Sequence, residues 1–297
     1  MIESKAKHFL IVANPRSGKG RALKLAEELS EILNNSSNTA TIIATLGEEL
    51  MLRMCEDFIN ASDCDGLFIV GGDGLLHSLL PLVHRYQIPF TMVPAGTGND
   101  FAREIGATKR SLSQISALVD DFPIEIDSIL IQGSHGSVRA CQVLSLGFDA
   151  LVNERANGFR RISGKLKYIA ATIRELPVFK AMRFKLTIDG ESSTREAMLI
   201  AIANGPSYGG GMRICPSADH SDGLLDVLIL HQVSIFELIK VFPKVYSGKH
   251  ITHPAVEVVR CRQITVDAPA RAYADGEFVG ELPLQISIEP RSLRVWK

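Results

Sequence analysis

The segment covering residues 67–83, with the sequence LFIVGGDGLLHSLLPLV, constrains the fold of this chain most strongly. Its first four residues are apolar and end at a glycine, which is typical of a strand buried on both faces of a parallel sheet. After the glycines, leucine and valine return at intervals of three and four, which predicts a helix. The segment therefore predicts a strand, a glycine turn and a helix, with free backbone amides at the helix start that favour a phosphate. A glycine turn that serves packing alone is the structural alternative.

A second unit of this kind stands near the start of the chain. Residues 8–13 predict a strand, residues 14–20 (NPRSGKG) form a polar turn, and apolar residues between 22 and 33 predict an amphipathic helix. The P-loop spacing GxxxxGK[ST] is absent, so the sequence disfavours a P-loop ATPase. Arg16 and Lys19 are either phosphate contacts or solvated loop charges.

Further strands and helices alternate up to about residue 120. Residues 39–44 predict a strand that leads to Thr45, residues 50–59 a helix, and residues 88–93 a strand followed by the polar turn PAGTGNDFAR. This alternation predicts an α/β fold with a doubly wound parallel sheet, in which ligands bind at the carboxyl ends of the strands. All three polar turns lie at that edge, so we expect a nucleotide site there.

The second half of the chain has a different pattern. Short β-rich runs, mostly separated by turn residues, predict an antiparallel β-sandwich; they cover residues 124–131, 138–146, 184–188, 197–203, 224–230, 255–259, 263–266 and 284–288. Residues 165–176 and 234–246 have helical character instead. We therefore predict a nucleotide-binding domain over residues 1–127 and a β-sandwich domain over residues 128–288, with a return of residues 289–297 to the first domain as an open alternative.

Composition narrows the function classes. With 297 residues, 46% of them hydrophobic, the chain can build two cores. Its net charge of −1 gives no indication of a nucleic-acid partner, and its five scattered cysteines show no zinc-site spacing. The N-terminal residues lack the pattern of a signal peptide, and no window approaches the ~20 apolar residues of a membrane helix. We expect a cytoplasmic protein that is at most peripheral at the membrane.

Four segments together resemble one family. They are residues 14–18, residues 71–74 with the helix that follows, residues 94–102 (PAGTGNDFA), and residues 204–226 (NGPSYGGGMRICPSADHSDGLLD). The chain resembles the bacterial diacylglycerol-kinase-like lipid kinases, which are related to the diacylglycerol, sphingosine and ceramide kinases. The GGDG turn alone is shared with NAD kinases and phosphofructokinases, but its combination with the other segments is more specific.

The resemblance implies that the first domain, NAD-kinase/phosphofructokinase-like in fold, binds ATP and Mg²⁺. Carried over by motif, the ATP contacts are Asn14, Pro15, Arg16, Ser17, Gly18, Thr45, Gly72, Asp73, Gly74, Leu75, Leu76, His77, Ser78 and Thr97. Loops of backbone amides suit phosphates, and threonines at strand ends offer hydroxyls. Asp73 is also a candidate catalytic residue that orients a metal ion or a hydroxyl.

The chain departs from the family pattern in the helix that follows the glycine turn at residues 71–74. Leu75 stands where the family has threonine, and His77 and Ser78 replace an Asn-Glu pair. Leucine removes a hydroxyl from the helix start, and Pro81 is expected to kink the helix unless the helix ends early.

The resemblance also implies sites in the second domain. Glu277 is the expected proton acceptor for a lipid hydroxyl, with Asp275 assisting it or binding metal, although Asp189-Gly190-Glu191 repeats the same three letters. Asp-Gly is also a strong hairpin turn, so position in the fold has to choose between the two copies. A second, structural Mg²⁺ site is implied at Asp222 together with the backbone oxygens of Asp219 and Leu224, with an Asp-Gly turn as the alternative.

The expected partner is a lipid acceptor at an anionic membrane surface. Residues 155–185 contain nine basic residues and one acidic residue, with aromatic residues interleaved, which suits an anionic bilayer; a solvated basic face is the alternative. No nucleic-acid partner is expected, and a homodimer is an open alternative. The competing functions are a kinase of a soluble acceptor such as NAD and a non-catalytic nucleotide sensor.

Overall fold

The computed structural model describes residues 6–96, 98–134, 136–147 and 181–297. The described residues form two compact units. The first unit contains the described residues up to Ile126 together with Ser292–Lys297, and the second contains those from Asp127 to Arg291.

The first unit is built on a parallel sheet flanked by helices. Its four strands are β1 (His8–Ala13), β2 (Thr39–Ala44), β3 (Gly66–Gly71) and β4 (Phe90–Pro94), in the order β2-β1-β3-β4. Its helices are α1 (Arg21–Asn35), α2 (Glu48–Ala61), α3 (Asp73–Tyr86), the short α4 (Asp100–Glu104) and α5 (Leu112–Ala117), with single 3₁₀ turns at Ser17–Gly20, Ala107–Lys109 and Leu118–Asp120. The doubly wound parallel sheet predicted from the sequence is confirmed.

The C-terminal residues return to this first unit. Val295 pairs with Phe90 of β4 in parallel, and the indole Nε1–H of Trp296 donates to the carbonyl of Asp121 at 3.1 Å. A Cβ atom at Gly66 would lie 2.3 Å from the Trp296 ring, so glycine is required where β3 begins. Trp296 is 4% exposed and belongs to the core that Phe9, Ile11 and Phe68 form.

The helix after the glycine turn is continuous. α3 runs from Asp73 to Tyr86, and Pro81 lies inside it on the exposed side. The helix therefore does not end early at Pro81, although proline has no amide to donate to the backbone there.

The second unit is a β-sandwich with a core between its two sheets. Its strands are β5 (Ile124–Gly133), β6 (Gly136–Ala140), β7 (Val143–Gly147), β8 (Met182–Ile188), β9 (Glu191–Ala197), β10 (Leu199–Ala203), β11 (Leu225–Leu230), β12 (Val256–Cys261), β13 (Gln263–Asp267), β14 (Arg271–Ala274), β15 (Glu277–Glu281) and β16 (Leu284–Val295). One sheet has the antiparallel order β12-β11-β10-β7-β14-β15; the other contains β9, β8, β13 and the start of β16, with β5 and β6 beside β16. Alternate residues of both sheets fill the core. This confirms the predicted sandwich.

Some element boundaries differ from the sequence prediction. The run 138–146 divides into β6 and β7, and the polar residues 191–196, which are not among the predicted β-rich runs, form the edge strand β9 opposite β8. An edge strand needs only backbone pairing on one side, so its side chains are free to be polar. The predicted helix at residues 234–246 is α6 (Ile235–Val245), and a 3₁₀ turn follows at Lys249–Thr252. The predicted helix at residues 165–176 lies outside the described residues.

The cysteines are thiols, and none of them forms a disulfide. Burial raises the pKa of Cys55 and of Cys261 to about 12, so both stay protonated and unreactive at neutral pH. Within the described ranges, no helix is long and apolar enough to cross a membrane.

Candidate active site

Three loops meet at the carboxyl edge of the first sheet, where β1, β3 and β4 end. A Cβ atom at Gly18 would lie 2.7 Å from the carbonyl oxygen of Ala95, and one at Gly96 would lie 2.8 Å from the Cα of Gly72. The amides of Ala95 and Gly96 both donate to the carbonyl of Gly71, at 2.9 and 3.2 Å. Glycines are therefore needed for this close backbone packing, and the loops 14–20, 71–74 and 94–99 form one cluster.

Asp73 links the glycine turn to the loop after β4. Its carboxylate oxygens accept hydrogen bonds from the amides of Asp100, at 3.1 Å, and Phe101, at 3.2 Å. These are first-turn amides of α4, so Asp73 caps that helix from the start of α3. A Cβ atom at Gly98 would lie 2.8 Å from Asp73 Oδ2, which explains the glycine there.

The loop before α4 is also closed internally. Asn99 donates its Nδ2–H to the carbonyl of Gly96 at 2.8 Å and accepts from the Gly96 amide at 3.1 Å. Arg103 forms an ion pair with the buried Asp100 at 2.6 Å and donates to the carbonyl of Gly98 at 2.8 Å. Thr97, a predicted ATP contact, lies outside the described residues.

The starts of α1 and α3 carry no side-chain cap. Gly20 precedes α1 and Gly72 precedes α3, and neither helix start receives a hydrogen bond from an N-cap side chain. Uncapped N-terminal amides and the positive end of the helix dipole favour an anion. The exposed side chains of Arg16 and Lys19 stand in the loop before α1, and Lys19 has a positive φ of 58°.

The remaining predicted ATP contacts in the first unit differ in how far their side chains are exposed. Asn14, Pro15, Ser17 and Thr45 are partly exposed at the ends of β1 and β2, while Leu75 and Leu76 are buried. A Cβ atom at Gly71 would lie 2.7 Å from Leu75 Cδ2, so this leucine packs over the end of β3. His77 and Ser78 are half-buried, and His77 Nδ1 is a buried nitrogen without a hydrogen-bond partner among the described residues.

In the second unit, Asp275-Gly276 forms the turn of the hairpin β14–β15. Both residues have positive φ, 52° and 90°, as a type I′ turn requires. The Asp275 carboxylate accepts hydrogen bonds from three consecutive amides, those of Cys141 (2.7 Å), Gln142 (3.0 Å) and Val143 (3.1 Å). These bonds anchor the turn to the start of β7, and Glu277 begins β15 with an exposed side chain.

The earlier triplet has the same local structure. Asp189 and Gly190 have φ values of 46° and 93° in the β8–β9 turn, and the Asp189 carboxylate accepts from the amides of Arg262 and Gln263. Glu191 is exposed at the start of β9, as Glu277 is at the start of β15. Local geometry therefore does not distinguish the two glutamates.

Asp219, Asp222 and Leu224, the predicted structural metal site, lie in the loop before β11. Asp219 Oδ1 accepts from the hydroxyl of Ser221 at 2.7 Å, and Asp222 Oδ1 accepts from the amide of Leu224 at 3.0 Å. Asp222 Oδ2 forms an ion pair with Arg260, whose guanidinium also approaches Asp226 at 3.4 Å. No group of three or more acidic, histidine or cysteine side chains in the described part of the chain is arranged to hold a metal. Arg260 therefore pairs with the one carboxylate that the implied Mg²⁺ site would use. Because the other two implied ligands are backbone oxygens of Asp219 and Leu224, the metal site stays a prediction.

A buried polar cluster beside the Asp275 turn was not predicted as a site. Asn204 donates from Nδ2 to the carbonyls of Asp127 and Cys141, and His220 Nε2 lies 2.7 Å from Gln142 Oε1. Gly205 is packed against this pair, since a Cβ atom there would lie 1.8 Å from Gln142 Oε1. Asn204, Gly205 and His220 belong to the segment 204–226 that carries part of the family resemblance, but nothing in that segment indicated that Gln142 lies beside them.

Comparisons with known proteins cover the whole chain. The diacylglycerol kinase catalytic domain matches residues 8–131, and the YegS C-terminal NAD kinase beta sandwich-like domain matches residues 142–297. A protein named diacylglycerol kinase from Mycobacterium tuberculosis is 35% identical over 289 residues, which are 96% of this chain and 93% of that protein. The chain belongs to the diacylglycerol-kinase-like lipid kinase family.

The solved structures agree on the fold of this family member. A crystal structure of a diacylglycerol kinase from Bacillus anthracis matches with a TM-score of 0.72 at 19% identity and covers 99% of this chain and 98% of that one. The catalytic-domain match contains all three loops of the first unit. The sandwich-domain match begins at Gln142 and contains Asp275 and Glu277. The expected resemblance is therefore confirmed, and the protein is a kinase by family.

Proposed function

We propose that this protein is an ATP- and Mg²⁺-dependent lipid kinase that phosphorylates a hydroxyl of a membrane lipid such as diacylglycerol. The observation that carries the proposal is the meeting of three glycine-containing loops at the carboxyl edge of the first sheet, with Asp73 bonded across to α4. Doubly wound sheets bind nucleotides at this edge. The family membership supports a lipid as the acceptor class.

In this proposal the first unit holds the triphosphate. The uncapped starts of α1 and α3 face the phosphates with backbone amides, and Arg16 and Lys19 neutralise charge. His77 Nδ1, a buried nitrogen without a partner in the described structure, is available for a hydrogen bond to the nucleotide. Mg²⁺ bound together with ATP would supply further neutralisation of the phosphate charge at these loops.

The second unit supplies the proton acceptor. The oxygen of the lipid hydroxyl bonds to the transferred phosphorus, and the bond from that phosphorus to the leaving phosphate oxygen breaks. Glu277 accepts the proton that the hydroxyl loses. Asp275 acts as a positioning residue in this scheme, because its carboxylate is engaged by three amides that fix the turn before Glu277. What this proposal requires of the second unit is therefore an exposed carboxylate at one end of an anchored hairpin.

A panel assay tests the proposal. The purified protein is incubated with radiolabelled ATP and Mg²⁺ in the presence of vesicles that contain a panel of extracted lipids, or of NAD without lipid, and products are identified by mass. We expect a phosphorylated lipid that disappears when Mg²⁺ is chelated. Phosphorylated NAD would assign the protein to soluble acceptors, and binding of ATP without any product would make it a nucleotide sensor.

A further inference from the structure

The helix α6 of the second unit exposes a face that the fold does not use. Phe236 is 75% exposed and Ile239 is 56% exposed, and Lys240, Pro243 and Lys244 are exposed on the same side. These residues are spaced by three or four, so they form one continuous stripe, which we call the α6 face. Neighbouring exposed apolar side chains on one helix face form a patch, and such patches mark interaction sites more often than single exposed residues do.

The opposite side of α6 holds the helix on the sandwich. Leu238, Val241 and Val245 are buried, and Val245 belongs to a core cluster with Tyr208 and Met212. Ser234 caps the helix start by accepting from the amide of Glu237 at 3.2 Å. The helix is therefore anchored and capped without any contribution from Phe236 or Ile239.

The charges around the α6 face are predominantly positive. Lys240 and Lys244 follow Phe236 at successive intervals of four, and Lys249 is exposed just beyond the helix. Glu237, the acidic residue of α6, places its Oε1 3.1 Å from His253 Nε2 and so points towards His253. The face therefore presents apolar side chains near the helix start and lysines towards its end.

This combination matches one kind of partner. A helix that lies in a membrane interface buries apolar side chains at the boundary between headgroups and acyl chains, while its lysines extend to the lipid phosphates. A second copy of this chain fits less well, because a twofold contact through this face would bring the lysines of both helices together.

We infer that the α6 face docks on an anionic lipid bilayer, with Phe236 and Ile239 inserted and Lys240 and Lys244 on the lipid phosphates. The inference rests on the proposed function, because it names the surface through which a lipid kinase reaches an acceptor that stays in the bilayer. It is separate from the basic residues 155–180, which lie outside the described structure.

Vesicle sedimentation tests this docking surface. The full chain is mixed with vesicles of phosphatidylcholine alone or with equal parts of phosphatidylglycerol. Substitution of Phe236→Glu with Ile239→Glu is expected to weaken binding to anionic vesicles by about a hundredfold, because two apolar insertions are replaced by charges that the surface repels. Lys240→Gln with Lys244→Gln keeps the apolar residues and is expected to weaken it by about tenfold, with loss of the salt dependence.

A matched control lies on another helix. Leu50 and Met54 are 49% and 41% exposed on one face of α2, four residues apart, so Leu50→Glu with Met54→Glu makes the same kind of chemical change elsewhere. This control variant is expected to bind vesicles as the unsubstituted protein does. Anionic vesicle binding that is unchanged in both α6 variants would overturn the inference. So would a change from dimer to monomer in sedimentation velocity without any loss of vesicle binding, which would assign the face to a second copy.

A soluble acceptor separates this inference from the proposed function. With short-chain diacylglycerol dispersed as monomers, the Phe236→Glu, Ile239→Glu protein is expected to keep its turnover while it loses turnover on vesicles. If the unsubstituted protein phosphorylates neither substrate but its vesicle binding still depends on the α6 face, the proposed function fails and the docking surface stands. If turnover on vesicles is identical in all variants, the docking surface fails and the function stands.

Discussion

Glu277 and Glu191 form a natural control pair at the scale of single residues. Each follows an Asp-Gly turn with two positive φ values, and each aspartate carboxylate accepts hydrogen bonds from backbone amides of another segment of the chain. Such a turn is what Asp-Gly favours in any hairpin, so the shared geometry shows a structural role for both aspartates. A catalytic role for one glutamate must then come from where its hairpin stands in the fold.

We predict that Glu277→Gln lowers kcat by ~10²–10⁴, the usual contribution of a general base, while the KM for ATP changes little. Glutamine keeps the shape of the side chain and removes its basicity. Initial rates on the acceptor found in the panel assay measure the effect. Glu191→Gln is the matched control and should leave kcat unchanged; the reverse pattern would move the proton acceptor to the earlier hairpin.

At the scale of elements, Asp73 joins α3 to α4. Because its carboxylate caps α4, Asp73→Ala should destabilise the protein by about 1 kcal/mol, the usual cost of losing a cap. We further expect turnover to fall by about 10²-fold, since the loop before α4 would no longer be held in place. Thermal unfolding and kcat measured on the same preparation give both values.

Asp65 is the control for Asp73. Its carboxylate accepts the amide of His8 at 2.7 Å, at the opposite edge of the same sheet. Asp65→Ala should therefore lower stability without lowering kcat. Equal loss of kcat in both variants would show that Asp73 acts through global stability alone.

The second prediction at this scale concerns Leu75. It lacks the hydroxyl of the threonine that the family has at this position, but it is 8% exposed and packs over Gly71. We expect Leu75→Thr to lower the free energy of unfolding by about 2 kcal/mol, because it removes buried apolar surface and buries a hydroxyl. Leu75→Met, which conserves volume, should cost less. Denaturant unfolding and an ATP titration test this, and tighter ATP binding in the threonine variant would contradict it.

At the scale of the whole molecule, one buried histidine links stability to pH. His250 is 3% exposed, its Nε2 lies 2.9 Å from the carbonyl of Ile214, and its Nδ1 has no partner among the described residues. Burial lowers the pKa of His250 below its ordinary value of 6.5. Between the folded and unfolded pKa values the unfolded chain binds more protons, so stability is full above pH 6.5 and is lost as the pH falls.

We predict that the free energy of unfolding falls between pH 7.5 and the lowered pKa more steeply for the unsubstituted protein than for His250→Gln. Glutamine can donate to the same carbonyl and does not titrate. Urea unfolding at a series of pH values measures both slopes. Parallel curves would show that His250 does not titrate on unfolding.

Much of the fold follows from local patterns in the sequence. The buried strand before Gly71 and the helix after it were predictable because apolar periodicity and glycine act over a few residues. The same holds for the alternating strands and helices of the first unit and for α6. The edge strand β9 was not predictable, since its polar residues are stabilised by pairing with β8 rather than by burial.

The sequence by itself determined which residues are available for chemistry: three glycine-containing turns after strands and two Asp-Gly-Glu triplets. Only the tertiary structure decided what those residues contact. Asp73 caps a helix that begins 27 residues later, Asp275 accepts hydrogen bonds from amides more than 130 residues earlier, and Asp222 pairs with Arg260, 38 residues later. The physical reason is that a carboxylate accepts hydrogen bonds from any donor that the fold brings within reach, and sequence separation does not limit that choice.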